Sequence, residues 1–205
     1  MGKPISISLI IPVYEEEYDV VPNIIFMVSK MEALETAGVI KDYELRIFSS
    51  VKRYLSFPDC LIVNKKIVFI NHGGNTELGS MFVKGVKLAE KECVGLVTPY
   101  NQVSLDSLED IFKALSDHVM VVAYVGNHNA RQWYRAVASE INTFLVNLVF
   151  GLRLRYYHLN FYQTELVKRV PFTTHSHAAM VGAGVWMAKS GARLAQVPFI
   201  MILHN

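Results

Sequence analysis

The sequence predicts an α/β fold in which a mostly parallel central sheet carries helices on both faces. Short apolar segments alternate with longer segments of helical spacing along most of the 205 residues, an order typical of strands joined by crossover helices. The apolar segments are bounded by polar residues, as are the buried strands of parallel sheets. We expect residues 1–205 to form a single domain, because this length fits one sizeable core better than two small ones.

Each apolar segment defines one predicted strand. The first, ISISLIIPV, alternates and then becomes uniformly apolar. It lacks a basic lead and a small-residue cleavage site, so we interpret it as a strand and not as a signal peptide. The predicted strands cover residues 5–13, 43–48, 66–71, 94–97, 119–125 and 195–203.

Helices are predicted where apolar residues recur at spacings of three and four. Asp19 is the expected N-cap of the first, Asn75 or Thr76 of the second, and Asp106, with Glu109 at capping-box spacing, of the third. A long helix over residues 131–150 and a last one over 178–189 follow. Between these two helices we expect an irregular, aromatic-rich segment. The long helix has apolar residues on one face, and these are Trp133, Val137, Ile141, Phe144 and Leu148.

Composition excludes several classes of function. The net charge is +2 and no basic stripe occurs, which argues against nucleic-acid binding. Hydrophobic residues make up 52% of the chain, but no apolar run approaches the ~20 residues of a membrane-spanning helix. We expect a cytoplasmic protein whose excess apolarity serves a peripheral membrane surface or a protein partner. Cys60 and Cys93 lie far apart in the sequence and are expected to be reduced, buried thiols.

The loop at residues 98–102 is the predicted centre of the chemistry. It follows the short strand at residues 94–97 and leads into a helix. Open α/β sheets bind their ligands at the carboxyl ends of such strands. We therefore expect polar side chains of this loop to face a ligand.

Three stretches carry a resemblance to a known family. They are SLIIPVYEEE, the stretch from LVTPYNQ to LEDI, and WYRAVASEINTFLVNLVFGLRLR with NFYQTELVKRVPF after it. From residue 5 to about residue 198 the chain resembles the family 2 glycosyltransferases of GT-A fold, specifically the dolichol- and polyprenyl-phosphate sugar transferases. The resemblance implies transfer of a sugar from a nucleotide-sugar donor to a polyprenyl phosphate or another acceptor.

The resemblance also implies two sets of binding residues. Those expected at the nucleotide sugar are Pro12, Tyr14, Glu16, Ser49, Ser50, Thr98, Tyr100 and Gln102. Those expected at the acceptor phosphate are Arg131, Arg135 and Ser139, which form one row on the long helix.

The carboxylates of the family's metal site are replaced in this sequence. The family's Asp-x-Asp pair falls on Thr98 and Tyr100, and its Asp-Asp after the second strand falls on Ser49 and Ser50. Another acidic position of the family falls near Gly182. We therefore expect no metal cofactor, neither Mg²⁺ nor Mn²⁺. In that case the positive charge at the diphosphate would come from four cations, which are Lys52, Arg53, Arg131 and Arg135.

Alternative interpretations stay open at this point. Loss of the whole acidic set fits a catalytically silent relative that acts as a binding, scaffold or regulatory subunit. The acidic triplet at 15–17 is also typical of a solvated helix start. Arg131 and Arg135 are likewise typical of a solvated helix face. A nucleotidyltransferase would need a glycine-rich basic loop after the first strand, where this chain has EEEYD. His158, His175 and His177 match no metal-binding spacing and are interpreted as loop histidines.

Overall fold

The computed structural model describes residues 3–13, 20–49, 57–73, 77–100, 103–127, 133–155 and 159–202. Within them seven strands form one sheet in the order β3-β2-β1-β4-β6-β5-β7. All neighbouring strands run parallel except β6, which is antiparallel to both β4 and β5. The strands are β1 Ile5–Val13, β2 Ile40–Ser49, β3 Ile67–Asn71, β4 Cys93–Leu96, β5 Met120–Val125, β6 Leu159–Gln163 and β7 Leu194–Phe199.

Helices cover both faces of the sheet, so the predicted α/β class is confirmed. Side chains of α1 and α4 join one apolar core, and side chains of α3 and α7 join the core on the opposite face. Among the described helices, none has both the length and the apolarity needed to cross a membrane. The helices are α1 Val20–Thr36, α2 Asp59–Ile62, α3 Leu78–Leu88, α4 Leu105–Asp117, α5 Trp133–Phe150, α6 Thr164–Val167 and α7 Ala178–Lys189.

Strand β6 corrects the prediction of an irregular segment after α5. Its five residues, LNFYQ, insert between β4 and β5. Phe161 and Tyr162 are buried on opposite faces, in different cores. Phe161 lies opposite Gly95, where a Cβ would come within 2.2 Å of the Phe161 ring. A strand this short, buried on both faces, lacks the alternation that would mark it in the sequence.

Two smaller predictions are also corrected. The N-cap of α4 is Ser104 and not Asp106, because the Ser104 hydroxyl accepts a hydrogen bond from the Ser107 N–H at 3.2 Å. Cys60 is exposed, whereas Cys93 is buried as predicted, and both are free. Burial raises the pKa of the Cys93 thiol to about 12.

A buried ion pair fixes β1, β2 and the segment before β4 relative to one another. Arg46 donates to Glu44 through Nε at 2.9 Å and through Nη2 at 3.0 Å. The Glu44 carboxylate also accepts from the Ser8 hydroxyl at 2.5 Å and from the Glu90 N–H at 3.0 Å. Ser8 in turn accepts from the Lys91 N–H at 3.1 Å. One buried carboxylate therefore joins three segments that are distant in sequence.

The charge of Glu44 is maintained inside the protein. Burial alone would raise the pKa of its carboxyl, but the hydrogen bonds from Arg46, Ser8 and the Glu90 backbone outweigh burial and lower it below the ordinary 4.5. Because the folded pKa is lowered, ionised Glu44 stabilises the fold above pH 4.5. This contribution is lost as the pH falls through the lowered pKa.

We expect Glu44→Gln to lower the free energy of unfolding at pH 7 by about 2 kcal/mol, because the buried Arg46 guanidinium then keeps only the exposed carboxylate of Glu90, 3.0 Å from its Nη2. The difference between wild type and variant should shrink at pH values below 4.5, where wild-type Glu44 becomes protonated. Urea unfolding of wild type and variant, at pH 7 and at a pH below 4.5, measures this difference in the free energy of unfolding. The matched control is Glu109→Gln, which removes an exposed pair with Lys113 and should change little. Equal effects of the two variants would contradict the role assigned to Glu44.

Candidate functional site

The carboxyl ends of β1 to β4 meet at one edge of the sheet. From β1 the chain proceeds to β2 and β3 on one side and then returns to place β4 on the other side of β1. The strand order therefore reverses between β1 and β4. Open α/β sheets bind ligands in the crevice at such a reversal, beyond the carboxyl ends of the strands.

Predicted donor-site residues come together at this edge. Pro12 pairs in register with Phe48, and Val13 pairs with Ser49, so Pro12 and Ser49 end neighbouring strands. Thr98 and Tyr100 follow β4 on the other side of β1. Thr98 is exposed, and the Tyr100 side chain is 42% exposed. These four predicted residues therefore lie at the same edge of the sheet, although they are up to 88 positions apart in sequence, and Pro12 is buried there.

The loop after β4 is anchored at both ends. The Val97 N–H donates to the Ile10 carbonyl at 3.0 Å, which continues the pairing with β1. Val103 forms an antiparallel bridge with Met201, and the Ile200 N–H donates to the Ser107 hydroxyl at 3.0 Å. The residues on either side of this loop are thus fixed to β1 at one end and to the segment after β7 at the other.

Several predicted residues lie outside the described part of the chain. They are Tyr14, Glu16, Ser50, Lys52, Arg53, Gln102 and Arg131. Arg135 lies within α5, and Ser139 is half-buried one helical turn further along. Both remain candidates for the acceptor site.

Sequence reasoning missed a polar cluster at the end of β3. Asn71 pairs with Ser49, and the His72 N–H donates to the Ser49 carbonyl at 3.0 Å. The His72 ring lies edge-on to Phe48, and its Nε2 is 3.2 Å from the Ser80 hydroxyl. The sequence feature that could have indicated this cluster is the position of His72 directly after the predicted strand KIVFIN, since the carboxyl ends of parallel strands share one edge.

The His72 imidazole is neutral at pH 7. Burial lowers its pKa, and the charge of Lys84 lowers it further. Its Nδ1 is buried and has no hydrogen-bond partner among the described residues. A neutral imidazole can donate at one nitrogen and accept at the other. His72 therefore adds a polar group to the edge that already carries Ser49.

A loop before α7 closes against the start of α3 at the same edge. A Cβ on Gly79 would lie 1.8 Å from the Ser176 carbonyl oxygen and 2.4 Å from the His175 carbonyl oxygen. The loop is itself braced, because the Ser176 N–H donates to the Thr174 hydroxyl at 3.2 Å. His175 and His177 are exposed here. Only glycine at position 79 permits this close approach of backbone to helix.

The strand order, the reversal beside β1 and the inserted antiparallel β6 define a GT-A fold, the fold of nucleotide-sugar glycosyltransferases. No protein-family model matches the chain, and no curated protein sequence does. Solved structures do match. Glucosyl-3-phosphoglycerate synthase from Mycobacterium tuberculosis in complex with Mn²⁺ and UDP-glucose aligns with a TM-score of 0.68 at 13% identity, over 98% of this chain and 72% of the other.

Two further structures of that synthase give the same result. Its complex with Mg²⁺ and UDP has a TM-score of 0.66 at 12% identity, over 98% of this chain and 72% of the other. Its complex with Mn²⁺, UDP-glucose and phosphoglyceric acid has a TM-score of 0.67 at 12% identity over the same shares. At such low identity, the similarity establishes the fold.

These structures correct the expectation that no metal cofactor is used. The synthase of the same fold was solved with Mn²⁺ or Mg²⁺ together with UDP or UDP-glucose. Missing carboxylates were a poor basis for that expectation, because the phosphates of a substrate themselves supply oxygen ligands to such ions.

The described residues of this chain do not by themselves fit a divalent cation. Thr98 and Tyr100 offer hydroxyl groups at the end of β4, and neither they nor Pro99 between them offers a carboxylate. Within the part of the chain that the structure describes, no group of three His, Cys, Asp or Glu side chains could hold a metal ion.

We expect Gly79→Ala to lower the free energy of unfolding by about 2 kcal/mol, because the added methyl group collides with backbone that has no room to move. Gly182→Ala is the matched control. It also replaces a helical glycine, but nothing lies within 4 Å of the new Cβ, so it should stabilise by about 0.5–1 kcal/mol through helix propensity. Urea unfolding of both variants measures the effects, and stabilisation by Gly79→Ala would contradict the close approach.

Proposed function

We propose that this protein is a glycosyltransferase of the polyprenyl-phosphate type in family 2, which transfers a sugar from a nucleotide-sugar donor. The observation that carries the proposal is the reversal of strand order between β1 and β4, with polar residues at the ends of β2, β3 and β4 around it. The donor would lie in this crevice. Its proposed contacts are Pro12, Tyr14, Glu16, Ser49, Ser50, Thr98, Tyr100 and Gln102.

The chemistry of the edge suits a nucleoside. The Ser49 side chain and the neutral His72 ring offer donors and acceptors for a base or ribose. Tyr100 has an exposed aromatic face on which a base or sugar can stack. Sugar transfer needs positioning and electrostatic stabilisation of the leaving group more than it needs a protein nucleophile. We therefore assign these residues to donor binding and orientation.

A polyprenyl phosphate is the proposed acceptor. Arg131, Arg135 and Ser139 follow one another at intervals of four residues in the sequence, and Arg135 and Ser139 lie in the first turns of α5. Two guanidinium groups and a hydroxyl would bind a phosphate through several charge-assisted hydrogen bonds. A lipid acceptor would place the reaction at the cytosolic surface of a membrane.

We expect Thr98→Trp to abolish nucleotide binding, because the indole fills the crevice beside β1. The measurement is calorimetric titration with UDP, UDP-glucose, and GDP- and CDP-sugars in the presence of Mn²⁺. The control is Thr36→Trp, since Thr36 is also exposed but lies at the opposite edge of the sheet, at the end of α1. Thr36→Trp should bind like wild type. Equal binding by wild type and Thr98→Trp would refute the placement of the donor.

We expect Arg131→Ala and Arg135→Ala each to weaken binding of a short-chain polyprenyl phosphate by about tenfold, the loss expected for one charge-assisted hydrogen-bonded contact. Tryptophan fluorescence titration in detergent measures it. Arg153→Ala removes an exposed arginine beyond the end of α5 and should leave the affinity unchanged. If all three variants bind alike, the acceptor lies elsewhere.

A second candidate function is a catalytically silent GT-A protein that acts as a scaffold or regulatory subunit. The observation in its favour is the absence of carboxylates at Thr98, Pro99 and Tyr100. It predicts no thermal shift with any nucleotide sugar, even with Mn²⁺ present. Binding of one nucleotide sugar that Thr98→Trp abolishes would exclude this candidate.

A further inference from the structure

Helix α5 presents a broad apolar face to solvent. Phe144 is 64% exposed and Leu148 67% exposed, and other large apolar side chains beside them are exposed to similar degrees. The exposed set comprises Tyr134, Val137, Ile141, Phe144, Leu145, Leu148, Val149 and Phe150. Contiguous apolar patches of this size on a protein surface mark sites of interaction.

The opposite side of α5 is polar and faces the protein. Thr143 is buried, and Ser139 and Asn147 are half-buried. The Asn147 side chain donates to the Leu154 carbonyl at 2.7 Å and accepts from the Leu154 N–H at 3.0 Å. Asn147 therefore joins the end of α5 to the segment that follows it, and Val146 on the inner side packs against the core that contains α3 and α7.

The exposed residues follow the spacing of a helix-pairing seam. Tyr134, Val137, Ile141, Phe144 and Leu148 are separated by three, four, three and four residues. This is the a/d pattern with which one helix packs into another. This spacing therefore indicates that the partner is a helix and that the contact is not an unspecific apolar one.

The two ends of the seam complement each other. Tyr134, which is 51% exposed, projects at the start of α5. At the other end lies an open groove of about 590 Å³ between Phe144 and Leu148 of α5 and Leu152 and Arg153 beyond it. In an antiparallel pair related by a two-fold axis, the tyrosine of each copy meets the groove of the other. A surface that complements itself in this way defines an isologous contact.

We propose that α5 is the dimer interface of this protein and packs antiparallel against α5 of a second copy. Apart from Phe150, which by helical spacing lies on the side of Ser139 and Thr143, the exposed apolar side chains share one side of α5, and a standard interface needs ~800 Å² per partner.

Charge favours a second copy over a lipid surface. Helices that lie in a membrane interface carry a strongly charged, basic polar face. The inner polar side of α5 is neutral, since it consists of Ser139, Thr143 and Asn147, and within the helix only Arg135 and Glu140 are charged; the neighbouring arginines at 131, 153 and 155 lie outside Trp133–Phe150. The proposal does not depend on the proposed glycosyltransferase activity.

The test measures oligomeric state by sedimentation velocity over a range of concentrations. Wild type should form a dimer, and Phe144→Glu should raise the dimer dissociation constant more than tenfold, as removal of a central aromatic side chain does. Phe26→Glu is the matched control, because Phe26 is 57% exposed on α1, away from α5. It should dimerise like wild type. Circular dichroism verifies that both variants fold.

Two results would overturn the proposal. One is a wild-type protein that stays monomeric at 100 μM, a concentration chosen for the assay to lie well above the dissociation constants of specific interfaces. The other is dimerisation that Phe144→Glu and Phe26→Glu affect equally. Flotation with phosphatidylcholine vesicles, with and without phosphatidylglycerol, tests whether the apolar face of α5 binds a membrane instead of a second copy. Monomeric protein whose vesicle binding is lost only in Phe144→Glu assigns the face to a membrane instead.

Discussion

The fold depends on one buried carboxylate. Glu44 binds the guanidinium group of Arg46, the hydroxyl of Ser8 and the backbone N–H of Glu90. A carboxylate in this position is stable only because each of these donors is present, since an unpaired buried charge carries a large desolvation penalty. Through it β1, β2 and the entry to β4 keep one arrangement. The reversal of strand order, and therefore the crevice, requires all three segments to stay in register.

Among the described residues, those at the carboxyl ends of β2, β3 and β4 are polar and include no carboxylate. Ser49, Asn71, His72 and Thr98 end or follow three strands, which are β2, β3 and β4, and none can ionise to a negative charge at pH 7. Such an edge offers hydrogen bonds to a ligand but little attraction to a free cation. A divalent ion at this edge would depend on the oxygens that a diphosphate brings with it.

The residue pattern of helix α5 predicted the helix correctly, but it did not predict which side of the helix faces the rest of the protein. Its apolar residues recur at helical spacing, and the helix forms where that spacing predicts it. Periodicity identifies which residues share a face, but it does not say which face meets the domain. Here the neutral polar side chains of Ser139, Thr143 and Asn147 turn inward. Asn147 can do so because it satisfies both backbone groups of Leu154, so that its inward position costs no lost hydrogen bonds.

Local pattern by itself determined the α/β class, six of the strands and the long helices, because a strand or helix buried on an apolar face must repeat that face along its own sequence. Resemblance of short motifs also indicated the GT-A fold. Tertiary structure alone decided the insertion of β6, whose Phe161 fits only against Gly95. It also decided the position of His72 beside Ser49 and the orientation of α5. These features depend on contacts between residues far apart in the chain, and such contacts leave no periodic signal in the sequence around either partner.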